Sequence, residues 1–275
     1  MRRSGSAGFI PSAGLATVSH VWLPYFELMS KRPHSLDHLL ADWPFSTGQV
    51  LVRQIEGADG RDVLQMRIDM GMIQMEVTGR PDGVRPEGFD TYFDYLLSLS
   101  FSEGESYQLT PDRCNEIDRE FYQFYHRRIC WLTLKRYPEA MKDAQHTLSL
   151  MDFSSAYSLD PDWALLHEQY RPFVMFHKIQ AAALISLEQN EPGAATDEIE
   201  KGLKDLELVF EKYDASEHFE DNSFVIKLRE MRDSIIEHYE LSPSLAEQLA
   251  NAIAAEQYEL AAELRDRMDH RHGGK

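Results

Sequence analysis

The chain has 275 residues, with 28 Lys+Arg against 46 Asp+Glu and a formal net charge of −18 at pH 7. Its 43% hydrophobic and 11% aromatic residues are enough for a real core, which excludes a wholly disordered chain. The acidic balance argues against a general nucleic-acid binder, because phosphate contacts need a Lys/Arg surface.

Two cysteines, Cys114 and Cys130, make no disulfide framework, so a reducing compartment such as the cytoplasm is the expectation. No stretch approaches the roughly 18 apolar residues that a membrane span requires. Residues 1–20 are rich in Gly and Ser and read as a disordered tail. Their short apolar run is broken by Ser12, Pro11 and Gly14, unlike an export signal. Ser35 is placed to cap a short helix carrying Leu36, Leu39 and Leu40.

From Val50 to Val77 the apolar period becomes two. Leu64, Met66 and Ile68 alternate with Gln65, Arg67 and Asp69, and Ile73, Met75 and Val77 alternate with Gln74, Glu76 and Thr78. Each run predicts a half-buried strand with one apolar and one polar face. Met70-Gly71 and Gly57-Ala58-Asp59-Gly60 stand where turns would join these runs and the earlier run Val50–Ile55. The expectation is a three-stranded antiparallel meander closed by the turn Arg80-Pro81-Asp82-Gly83. A helix through Phe89, Tyr92, Phe93, Leu96 and Leu97 is expected to cover its apolar face.

After residue 109 the pattern is helical. Thr110-Pro111 and Asp160-Pro161 are start signals, a capping side chain followed by proline in the first turn. Asn190 to Gly193 breaks the helices again. Ile199, Leu203, Leu206, Phe210 and Tyr213 make one apolar stripe, and Phe224, Leu228, Met231, Ile235 and Tyr239 make another, as expected of helices packed face to face. The run Leu134-Lys-Arg-Tyr137-Pro-Glu-Ala140 resembles the centre of a tetratricopeptide repeat, where a Tyr and a small Ala fill the gap between two helices. Leu187 followed by Pro192-Gly193-Ala194-Ala195 is a looser echo. Its offset of 55 residues, against the usual ~34, departs from a strict tandem array.

The last 35 residues carry the sharpest signal. Pro243 precedes Ser244-Leu245-Ala246-Glu247, a capping box in which Ser and Glu satisfy orphan backbone donors at a helix start. A first helix presents Leu245, Leu249, Ala252 and Ile253; a turn follows near Glu256-Gln257; a second helix presents Tyr258, Ala261, Ala262, Leu264 and Met268. The Ala261-Ala262 pair is expected to let the helices approach, with Tyr258 filling the space near the turn. The pattern Leu245-x3-Leu249-x2-Ala252-x5-Tyr258-Glu259-x-Ala261-Ala262-x-Leu264-Arg265-Asp266 resembles the UVR motif, also called the UvrB/UvrC motif. Tyr258 stands where Phe is more usual and Leu249 where Met is common. The resemblance implies an αα-hairpin used for protein–protein association, as in UvrB and UvrC, where such hairpins pair with each other, and in ClpC ATPases and McsA-type adaptors. The chain has neither a G-x-x-x-x-G-K-[ST] phosphate loop nor C-x-x-C pairs, so the ATPase and zinc modules of those proteins are missing.

Other constellations are weaker. His126 and Cys130, with Cys114 upstream, have helical i, i+4 spacing for a metal site, but lack a second ligand pair, and Cys130 between Ile129 and Trp131 reads as core. Asp118, Glu120, His126, Arg127 and Arg128 read as a solvated face with ion pairs, or as an anion-binding cleft. His167, Glu168, Tyr170, Arg171 and His177 read as an internal hydrogen-bond network. A site for catalysis around His126, Arg128, His167 and Arg171 requires that these four converge in one pocket. Met66, Met70, Met72 and Met75 read as gap-filling core, and Asp269-His270-Arg271-His272 as a frayed end.

The expected fold class is α+β, predominantly α-helical: a tail over 1–20, an α+β region with the meander over 21–105, a TPR-like helical body over 106–240 and a UVR-type hairpin over 241–270. The expected function is a non-enzymatic adaptor of the bacterial cytoplasm, with no cofactor or metal. Its partner would be another protein, a UVR-containing one or a second copy, with no nucleic acid and no membrane. The expected contact residues are Leu245, Leu249, Ile253, Tyr258, Ala261, Ala262, Leu264 and Met268, with Glu259, Arg265 and Asp266 as rim charges that set register and on-rate. An accessory factor of nucleotide excision repair contacting UvrB or UvrC is the narrower alternative.

Overall fold

The structure, a computed structural model of the chain, describes residues 35–241 and 245–272. The tail over 1–20 and the capping residues Pro243 and Ser244 lie outside the described residues. The chain divides into two compact units, Met1–Pro44 and Phe45–Lys275. In the first, Ser35 Oγ accepts the Asp37 N–H at 3.1 Å at the start of the short helix α1 (Asp37–Asp42).

The second unit is predominantly α-helical with one small sheet. Strands β1 (Leu51–Glu56), β2 (Asp62–Ile68) and β3 (Gly71–Glu76) form an antiparallel meander in the order β1-β2-β3. The register pairs Leu64 with Gln54 and Met75, and Gln65 with Arg53 and Gln74. The β2–β3 turn falls one residue earlier than Met70-Gly71: Gly71 pairs with Ile68, and none of Asp69, Met70 and Gly71 takes a positive φ.

Both faces of the central strand are buried. Val63, Leu64, Gln65, Met66 and Arg67 are all covered, which the alternation of apolar and polar residues does not anticipate. The polar face is sealed by long side chains bonded across the strands: Arg53 Nε donates to Gln65 Oε1 at 2.8 Å, and Gln65 Nε2 donates to Gln74 Oε1 at 2.9 Å. Such cross-strand pairs hold a sheet together as i, i+4 pairs hold a helix.

Five helices build the body beyond the sheet: α3 (Pro111–Thr133), α4 (Tyr137–Tyr157), α6 (Arg171–Glu188), α7 (Pro192–Lys212) and α8 (Ser223–His238). The short α2 (Tyr92–Glu103) precedes them, and α5 (Pro161–Glu168) is inserted between α4 and α6. That insertion, together with the lengths of α4 (21 residues) and α6 (18 residues), accounts for the wide spacing of the two repeat-like runs. Thr110 Oγ1 accepts the Arg113 N–H at 3.3 Å, and Asp160 Oδ1 accepts from Asp162 and Trp163 at 3.0 and 3.1 Å, so both start signals act as caps.

The sheet is covered by Cys130, Trp131, Ala140 and Ala181 of α3, α4 and α6, not by the Phe89–Leu97 segment as expected. Tyr92 and Leu96 of α2 join a different cluster, with Ile117, Phe121, Leu148 and Phe153. The reason is at the helix start: fully buried Glu120 accepts the N–H groups of Tyr92 and Phe93 at 2.7 and 3.0 Å. Its charge sits on the positive end of α2 and anchors that helix to α3. A third cluster, with Ile199, Leu206 and Leu228, joins α6, α7 and α8.

One turn recurs. A residue with positive φ closes α3, α6 and the first hairpin helix: Lys135 (59°), Asn190 (60°) and Glu256 (57°). The next N–H then bonds back five residues: Arg136 to the Trp131 carbonyl at 2.8 Å, Glu191 to Ser186 at 2.9 Å, and Gln257 to Ala252 at 2.8 Å. This is the Schellman closure of a helix end. The same closure ends α7 at Asp214 and α8 at Glu240, but a buried alanine lies five residues beyond Lys135, Asn190 and Glu256 only, at Ala140, Ala195 and Ala261. The absence of a side chain beyond Cβ lets the second helix of each pair lie close to the first.

Candidate functional site

The C-terminal hairpin consists of α9 (Leu245–Ala254) and α10 (Tyr258–His272). Its seam is Ala252, Ala261 and Leu264, with Leu249 packed against them, and among the described residues this cluster draws on the hairpin alone. Spacing of three residues within each helix, 249–252 and 261–264, puts one stripe of each on the other. Ala262 is exposed, since one residue's rotation carries it off the seam that Ala261 occupies.

Tyr258 does not fill the space near the turn. It is 68% exposed, and Ile253 is 53% exposed. Leu260, which the motif pattern does not single out, is 44% exposed beside them in sequence. Glu259, Arg265 and Asp266 are exposed, and Arg265 Nη2 lies 3.6 Å from Asp266 Oδ1. The side chains of Leu245, Glu247 and Met268 and of the run Asp269–His272 lie outside the described set.

The hairpin's residues divide, then, into a seam that holds two helices together and an outward apolar set left in water. Residues 243–270 match the family model of the UvrB/uvrC motif. No curated protein and no solved structure matches the chain. The UVR match spans the hairpin and stops short of the helical body.

Of the five residues read as a solvated face, Asp118 is exposed and paired with His167 and His126 is half-buried, but the other three are not solvated. Glu120, Arg127 and Arg128 are buried. Arg127 holds Asp143 through two bonds, Nε to Oδ2 at 2.9 Å and Nη2 to Oδ1 at 2.7 Å, and donates through Nη1 to the Gly79 carbonyl at 2.7 Å. It therefore ties α3 to α4 and to the loop after β3. Arg80 of that loop is also buried, bonded to Glu116 at 2.9 Å, so its turn does more than reverse the chain.

The four residues of the catalytic alternative do not converge. Arg128 and His167 line one cleft, whereas His126 and Arg171 do not. His126 Nδ1 donates to the Tyr122 carbonyl at 2.8 Å, and Arg171 is paired with Glu168 and Asp152. Burial pushes the Cys130 thiol up to about 12, the wrong direction for a metal ligand. No group of three or more His, Cys, Asp or Glu among the described residues is arranged to hold a metal ion. No helix among them is long and apolar enough to cross a membrane. Met66 and Met75 are core, while Met70 is almost fully exposed.

Proposed function

We propose that the chain is a non-enzymatic adaptor that engages another protein through its C-terminal UVR hairpin. The observation that carries this reading is the division of the hairpin: Leu249, Ala252, Ala261 and Leu264 close it, and Ile253, Tyr258 and Leu260 remain outside. A seam of four side chains is too small to be the purpose of so apolar a segment, because a two-helix unit buries little surface on its own. A matching hairpin, on a UVR-containing protein or a second copy, would cover the outward set. Glu259, Arg265 and Asp266 would orient it, while Leu245, Ala262 and Met268 extend the contact. The helical body over 106–240, read as TPR-like from its repeated turns, acts as the scaffold. The description of the matched family favours the narrower reading that the partner is UvrB or UvrC.

The test is an affinity pull-down from lysate with the full chain beside a version ending at Glu240, with the helicity of both checked by circular dichroism. A UVR-containing protein recovered by the full chain and lost with the truncation supports the reading. Identical recoveries from two folded baits refute it.

A further inference from the structure

A second feature of the body has no part in the hairpin's role. Helices α3, α4, α6 and α8, with His167 of α5, border a half-open cleft of about 630 Å³, within the roughly 300–1,000 Å³ range of small-ligand sites. Phe121, Tyr125, Phe173 and Phe224 line it, with Thr147 and Arg128 among them. Among the described residues no Asp or Glu lines this cleft, although Asp118 is bonded to the lining His167 at 2.7 Å.

Arg128 is the decisive residue. It is 1% exposed. Its Nε donates to His177 Nδ1 at 3.2 Å and its Nη1 to Thr147 Oγ1 at 2.9 Å. The Thr147 hydroxyl passes its own proton to the Asp143 carbonyl at 2.8 Å, so neither partner carries negative charge to Arg128. The Asp143 carboxylate is held by Arg127 on both oxygens. A guanidinium has five N–H donors; the remaining ones on Arg128 meet no acceptor among the described residues. Burial lowers the guanidinium to about 10, which leaves it charged at neutral pH. His177 is kept neutral beside it, chiefly by burial and then by that same positive charge. The Asp143 charge acts on Arg128 through space while its oxygens are bonded to Arg127, so this buried cation is only partly compensated; that is costly, and an anion entering the cleft relieves the cost.

We propose that this cleft binds a small aromatic carboxylate, whose anionic group is taken by the free N–H groups of Arg128 and whose ring lies among Phe121, Tyr125, Phe173 and Phe224. The ligand's negative charge answers the partly compensated guanidinium, planar and forked as carboxylates require. Its flat apolar body answers the rings.

Isothermal titration of the full chain with 2-naphthoate and with the neutral isostere 2-naphthamide tests this. The expected result is saturable one-to-one binding of 2-naphthoate, about tenfold or more tighter than 2-naphthamide, the usual size of a charge-assisted hydrogen bond. Arg128→Met, with helicity and melting followed alongside, should bring the two probes to within about twofold of each other while leaving the apolar contribution. Tyr125→Ala, at a partly exposed wall position, should weaken both probes by the same factor and so keep their ratio; it stands as the test if Arg128→Met does not fold. No saturable binding of 2-naphthoate, equal affinities in the wild-type chain, a preference that survives Arg128→Met, or affinities untouched by Tyr125→Ala each overturn the proposal.

Discussion

Two single substitutions in the hairpin separate its seam from its outward surface. Leu264 is 2% exposed and is the one fully buried leucine of a cluster otherwise made of Ala252, Ala261 and half-buried Leu249. Truncating a buried leucine to alanine costs about 2–5 kcal/mol. Folded chains hold roughly 0.05–0.15 kcal/mol per residue, so a hairpin of this size has only about 1.5–4 kcal/mol to lose. Leu264→Ala should therefore melt both helices. Tyr258, at 68% exposed, sits at the other limit; replacing it by alanine should change stability by about 0.5 kcal/mol or less. Hydrogen–deuterium exchange over 245–272 reads the folding, and pull-down by the full chain reads association. Leu264→Ala should lose amide protection in both helices and lose the partner. Tyr258→Ala should keep protection and weaken association. Loss of protection in Tyr258→Ala would refute the assignment of this side chain to the outside, and full association in Tyr258→Ala would refute its place in the contact.

The body offers two further checks. At Gly202 in α7 an added Cβ would lie 2.3 Å from Ile179 Cγ1 and 2.5 Å from Cδ1, so Gly202→Ala should destabilise by about 1–3 kcal/mol despite alanine's advantage of roughly 1 kcal/mol in a helix; Ile179→Ala in the same chain should recover part of that loss in urea titrations. His177 is held at about 3 by burial and by Arg128, below its ordinary 6.5. The unfolded chain therefore binds the extra proton between those values, and stability falls as pH falls through that window, by at most about 1.4 kcal/mol per pH unit. His177→Gln, which can still accept from Arg128, should flatten the stability–pH slope between pH 4 and 6, and an unchanged slope would show that His177 is not the group responsible.

The local devices of this fold are legible in the sequence because each rests on neighbours in the chain. Thr110, Asp160 and Ser35 announce helix starts, and their side chains make those bonds. The meander follows from alternation, and the breaks at Asn190 and Glu256 coincide with positive φ. What was not legible depends on residues far apart. Glu120, Arg127 and Arg128 look like any charged helical face until α2, Asp143 and Thr147 arrive to partner them. Gln65 looks like the wet side of a strand until cross-strand side chains cover it, and Arg67 until its guanidinium bonds the Asp69 and Gly71 carbonyls of the turn. The same holds for the cleft: Phe224 reads as one member of a core stripe, and only the packing of α8 near α3 and α6 turns it into a wall beside Arg128.

The hairpin is the third use of one construction. In α3–α4 and α6–α7, as in α9–α10, a left-handed residue closes the first helix and an alanine five residues later admits the second. The surroundings differ. Ala140 belongs to a cluster that includes Leu64 of the sheet and Ala181 of α6, and Ala195 belongs to one that includes Leu228 of α8, so each of those pairs is stabilised by elements beyond itself. Ala261 belongs to a cluster that, among the described residues, is made only of hairpin residues. Identical local chemistry therefore yields a body element where neighbours cover the remaining apolar faces. It yields an exposed Ile253 and Tyr258 where they do not. Burying those two side chains against a partner would stabilise a complex by a few kcal/mol at about 25 cal/mol per Å² of apolar surface, before the cost of association is subtracted. Against an association cost of about 4–15 kcal/mol those two side chains alone are not enough, so the proposed contact would also have to draw on Leu260 and on the charges of Glu259, Arg265 and Asp266.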